Sequence, residues 1–62
     1  MELAKDIIQY RAKNNMSQEK FAELVGVAKT TIYGIEAGKT TATKLTEAKI
    51  RLVIGESNGE NT

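Results

Sequence analysis

The sequence predicts an all-α fold of four short helices, with a fifth left open, on three observations. Apolar residues recur three, four or seven apart in four separate stretches. Gly26 divides the two central stretches and can end a helix in a left-handed conformation. Ser17 stands just ahead of the first of these, where its hydroxyl can accept from a free amide of the opening turn.

The first helix is expected over residues 2–14, ELAKDIIQYRAKN. Leu3, Ile7 and Tyr10 form its core face, with Ala4, Ile8 and Ala12 beside it. Glu2 and Asp6 near the start and Lys13 near the end suit the helix dipole, and Asn14–Asn15 is a polar break.

The second helix opens three ways: Ser17 as cap, Glu19 in the first turn, and Met16 and Phe21 placed as a hydrophobic staple. Phe21, Ala22 and Val25 share one face, and Ile32 and Ile35, three apart, do the same for a third helix. Val27 fills the angle between the two, and the small Ala22 lets them cross closely. Two short helices joined steeply by a glycine turn make a helix-turn-helix. Ala28, at the start of the third helix, has no side-chain acceptor to offer as a cap.

Gly38 reads as the residue that ends the third helix, and Lys39–Thr41 as a loop. A fourth helix is expected over residues 42–54 with two apolar stripes: Leu45, Ala48 and Leu52, and Ile50, Val53 and Ile54. One stripe can cover the core. The second of them, Ile50, Val53 and Ile54, is the candidate dimer surface, the alternative being that it is more core.

Residues 1–55 form one domain, and residues 56–62, ESNGENT, read as a disordered polar tail. A chain of 62 residues buries only ~60% of the surface it exposes when unfolded, so its stability should be modest. The absence of cysteine excludes disulfides and thiolate metal sites, and the absence of histidine removes the commonest metal ligand and general base. No cofactor, no metal and no enzymatic activity are expected, since Ser17 and Ser57 have no evident activating base. The longest apolar run, Leu52-Val53-Ile54, is far short of a membrane span, and no export signal is evident, so a cytoplasmic location is the default. Residues 1–55 hold all nine Lys and Arg against six acids, giving +3, while the tail holds −2. The folded part is mildly basic, which suits a nucleic-acid partner.

The stretch SQEKFAELVGVAKTTIYGIEAGK resembles the DNA-binding domain of the lambda-type repressor and Cro proteins, the XRE family. Gln18, Ala22 and Gly26, with Phe21, Val25, Val27, Ile32 and Ile35, meet the family's template, and Glu36-Ala37-Gly38-Lys39 resembles its E-x-G-K ending. The resemblance covers about Leu3 to Gly55 and implies a lambda-repressor-like domain. It also implies a structural ion pair between Arg11 and Glu36. Relatives usually continue past a Leu-Gly into a fifth helix, whereas here a polar tail follows Ile54-Gly55, which leaves dimer geometry and operator spacing open.

In such a motif the second helix meets base edges in the major groove and the first crosses the backbone. The outward positions of Lys29–Ala37 then supply the base readers: Lys29, Thr30, Thr31, Tyr33 and Gly34, with Ala37 at the end. Lys29 can donate to guanine, Thr30 and Thr31 offer hydroxyls and methyls, and Tyr33 a ring for a thymine methyl or a hydroxyl for a phosphate. Gly34 stands where the family often has a long polar reader. Ser17 and Gln18 on one side, and Lys39, Thr40, Thr41 and Lys44 on the other, are expected to hold phosphates. The favoured function is a sequence-specific transcriptional regulator, a repressor of phage or mobile-element type, acting as a homodimer on a double-stranded operator. The alternative is an antitoxin or other interaction module that also binds DNA and holds an unidentified protein partner.

Overall fold

The computed structural model describes residues 2–58, with side chains described through Gly55. The described residues form α1 (Leu3–Lys13), α2 (Gln18–Val25), α3 (Lys29–Glu36) and α4 (Lys44–Asn58), with no strand among them.

Each boundary has a local cause. Asn15, at φ 52°, closes α1: its N–H donates to Ala12 O at 3.3 Å and that of Met16 to Arg11 O at 2.8 Å. The sequence showed only a polar break there, but this is the left-handed cap in which Asn can replace Gly. Ser17 Oγ accepts from the Lys20 amide at 3.0 Å and opens α2 as expected. Gly26, at φ 89°, closes it, and the amides of Gly26 and Val27 converge on Ala22 O at 2.8 and 3.0 Å. Ala28 has the extended conformation of a cap but no side-chain bond to make. At the end of α3, Gly38 has φ 76°, its amide bonds Ile35 O at 3.1 Å, and that of Lys39 bonds Gly34 O at 2.9 Å.

Helix α4 begins later and ends later than its apolar pattern indicates. Thr43 Oγ1 accepts from the Thr46 amide at 3.1 Å, so the helix starts at Lys44 rather than Ala42. It runs on to Asn58, which makes Glu56–Asn58 helical backbone although their composition reads as tail; residues 59–62 lie outside the described residues. A polar composition does not by itself stop a helix once the preceding turns are in place.

The core consists of Ile7, Phe21, Ala22, Val25, Ile32, Ile35 and Ile50, flanked by half-buried Leu3, Ala4, Tyr10, Met16, Val27, Ala42, Val53 and Ile54. Helices α2 and α3 pack on each other, α1 lies against α3, and α4 bridges α1 and α2. Ala22 is buried at that crossing, and the Tyr10 and Phe21 rings meet at 5.6 Å, tilted by 58°. Each fully buried Ile or Phe side chain contributes ~1.5–3 kcal/mol relative to exposure. Four of them, Ile7, Phe21, Ile32 and Ile50, come from four different helices.

The expected dimer surface is corrected by this packing. Ile50 is fully buried, Val53 and Ile54 lie half-buried against the core, and the other stripe faces out, with Leu45 at 67% and Leu52 at 64% exposure. Both stripes are apolar, so their spacing alone leaves the rotation of α4 undetermined. A long-range contact accompanies the rotation adopted: Arg51 Nη1 donates to Asp6 on α1 at 2.6 Å, and Arg51 Nε to Glu47 at 3.4 Å. The bond to Asp6 is the main cause raising the Arg51 pKa.

Giving α3 the acceptor it lacks is expected to stabilise the fold. Ala28→Ser should add ~0.5–2 kcal/mol, read as a higher melting temperature; no increase would place the start of α3 elsewhere.

Candidate nucleic-acid interface

Helix α3 is held by one side and presented by the other. Ile32 and Ile35 are buried against the body, and Lys29, Thr30 and Tyr33 are exposed, Tyr33 at 50%. Thr31 is half-buried, at the edge of the exposed surface.

Gly34 departs from expectation: it is buried and not an outward reader. The loop after α3 turns back over it. The amides of Lys39 and Thr40 both donate to Gly34 O, at 2.9 and 3.3 Å, and a Cβ built on Gly34 would lie 2.5 Å from Thr40 Cγ2. Periodicity placed this residue near the outward side, but the fold of the following loop covers it. Its glycine is explained by that close approach, which offsets the ~0.5–1 kcal/mol cost of glycine within a helix.

The same loop brings Lys39 Nζ to 5.8 Å from the centre of the Tyr33 ring, a cation–π contact that joins an expected phosphate ligand to an expected base reader. Ser17, Thr40, Thr41 and Lys44 are exposed, so the positions named for phosphate contact remain accessible on both sides of α3. Gln18 is different. It is half-buried, and its Nε2 donates to Glu36 Oε1 at 3.0 Å, a use that its place in the sequence did not reveal.

Glu36 is where the three helices meet. Its Oε1 also accepts from Arg11 Nη1 at 3.2 Å, and the two side chains are 8% and 22% exposed. The geometry matches the ion pair implied by the resemblance. Glu36 Oε2 and Arg11 Nε are buried with no hydrogen-bond partner among the described residues, so the pair is incompletely satisfied. No signal in the sequence announced Gln18–Glu36 or Arg51–Asp6, whose members are 18 and 45 residues apart. The Lys39–Tyr33 stack was closer to legible, because a glycine-capped turn sends the chain back along the helix it ends.

A helix-turn-helix family model matches residues 7–55. The chain belongs to the helix-turn-helix family. Searches of curated proteins and of solved structures return no significant match. The match takes in α2, the glycine turn and α3 whole, with most of α1 and α4, and it bears out the resemblance to XRE-type domains. A DNA-binding regulator of transcription is thus the general assignment for this helix-turn-helix domain. No helix among the described residues is long and apolar enough to cross a membrane, and no three of the described Asp and Glu group to hold a metal.

Two stability measurements probe this site. Arg11→Met leaves the Glu36 carboxylate buried without its counter-charge and should cost ~3–5 kcal/mol, whereas Arg11→Met with Glu36→Met should recover most of it; Lys13→Met, on the exposed side of α1, should change little. Equal losses for Arg11→Met and Lys13→Met in urea unfolding would reject the pair. Gly34→Ala should bring no gain alone, yet stabilise by ~0.5–1 kcal/mol in a Thr40→Ser background, where the blocking methyl is gone. A full gain without the second substitution would show that Thr40 is no obstacle.

Proposed function

We propose that this domain is a sequence-specific repressor of phage or mobile-element type that binds a double-stranded operator as a homodimer in the cytoplasm, with α3 in the major groove. The observation that carries the reading is the division of α3: Ile32 and Ile35 anchor it while Lys29, Thr30 and Tyr33 face solvent together. A major groove ~12 Å wide accepts one helix, and side chains at the N-terminal part of that helix meet the base edges.

Lys29 donates to guanine O6 or N7 as a compact charge, without the fork that makes arginine more directional. Thr30 offers a hydroxyl to a base edge and a methyl to thymine, and Tyr33 lays its ring against a thymine methyl. Thr31, half-buried, reaches a phosphate more readily than a base. With Gly34 covered, direct readout rests on three side chains, which favours a short recognition element in each half-site. Lys39, Thr40, Thr41 and Lys44 hold the phosphates after α3, and Ser17 with the amides that open α2 holds those before it. Gln18 serves this contact through the helix end it starts, since its amide is engaged with Glu36.

Selection of bound fragments from random duplex DNA at two salt concentrations tests the reading, since it reports site, symmetry and electrostatic content together. Lys29→Ala or Thr30→Ala should cost ~1–3 kcal/mol at one or two base positions and relax preference there. Lys39→Ala should weaken all duplexes alike and lower the salt slope by about 1. A Lys39→Ala loss confined to one sequence would reverse that assignment. Failure to enrich any sequence at low salt would remove the function itself.

A further inference from the structure

Three exposed cations, Lys29, Lys39 and Lys44, flank the open face of α3, and they are not held alike. Among the described residues none of them makes an ion pair, but Lys39 has a partner of another kind: its Nζ stands 5.8 Å from the centre of the Tyr33 ring. No other lysine or arginine among the described residues lies over an aromatic ring.

The backbone makes this contact a property of the fold and not of one free side chain. Gly38, at φ 76°, turns the chain back, and the amides of Lys39 and Thr40 donate to Gly34 O at 2.9 and 3.3 Å. Lys39 is thereby tied, through its own amide, to the residue that follows Tyr33. Gly34 permits the closure, since a Cβ there would lie 2.5 Å from Thr40 Cγ2. Helical glycine, turn and stack form one construction.

An aromatic ring differs from a carboxylate as the partner of a cation that has to meet DNA. A carboxylate would cancel the lysine charge, and a phosphate would have to displace it. A ring attracts the ammonium through its quadrupole, covers one side of it, and leaves the full charge and the remaining N–H groups free. A lysine loses rotamer freedom when it meets a phosphate, and one that is already held loses less.

We propose that Tyr33 is a positioning residue for Lys39: its ring holds the ammonium ready for a phosphate, so the ring contributes to affinity for every duplex, whatever its sequence. The proposal deepens the functional reading above and rests on it. Tyr33 remains 50% exposed with the lysine in place, so the ring keeps surface for a thymine methyl and serves both contacts.

Two measurements on the full chain test this. Without DNA, the side-chain methylene protons of Lys39 should be shifted upfield by the ring current in the wild type and in Tyr33→Phe, and should return to ordinary lysine positions in Tyr33→Leu. With a duplex of unrelated sequence at low salt, Tyr33→Leu should raise Kd about two- to fivefold and Tyr33→Phe should leave it unchanged. The Tyr33→Leu loss should vanish in a Lys39→Ala background, where no ammonium is left to hold. Leucine is a good helix former at this exposed position, so the melting temperature of Tyr33→Leu should hold and weaker binding cannot be ascribed to unfolding. Its salt slope should match that of the wild type, because the charge still reaches the phosphate. Lys39 protons indifferent to removal of the ring, a Tyr33→Phe defect equal to that of Tyr33→Leu, or a Tyr33→Leu loss undiminished by Lys39→Ala would each overturn the proposal and leave the functional reading in place. A wild-type domain that shows the ring-current shift and binds no duplex would overturn the functional reading, and the role of the stack with it.

Discussion

A single part-buried carboxylate oxygen joins the three helices that build the candidate interface. Glu36 ends α3, and its Oε1 receives Arg11 from α1 and Gln18 from the start of α2, so one acceptor ties the helix that would read DNA to both helices beneath it. Apolar packing through Ile32 and Ile35 holds α3 down, but hydrophobic contact is non-directional and tolerates small rotations. Hydrogen bonds from two fixed donors do not. With Glu36 Oε2 and Arg11 Nε unpartnered, the desolvation cost is incompletely met, so the network contributes orientation more than stability. That orientation decides where Lys29, Thr30 and Tyr33 point.

What could be read from the sequence follows the range of the interactions involved. The Ser17 cap, the left-handed Gly26 and the spacings of Phe21, Ala22, Val25, Ile32 and Ile35 act over a few residues, and α2, its turn and α3 were legible for that reason. The family resemblance supplied Arg11–Glu36, which spacing alone could not. The rotation of α4 was not legible, because two apolar stripes fit equally well and the choice is expressed in Ile50 packing and in Arg51 reaching Asp6. Gly34 was misplaced by a contact from a loop, and the bond from Gln18 to Glu36 was hidden because its acceptor lies on another helix. In each case a distant neighbour overrode a local pattern.

The loop that closes over Gly34 also bears on how a domain like this could acquire new targets. With the Thr40 methyl in the way, a side chain can be introduced at position 34 only if Thr40, the neighbour of Lys39, moves its methyl aside. On the functional reading proposed above, divergence of binding preference would pass first through Lys29, Thr30 and Tyr33, and position 34 would open most readily in lineages in which residue 40 has already shrunk. The order in which substitutions arrive, as much as their chemistry, would set the repertoire of sites that descendants of this chain can reach.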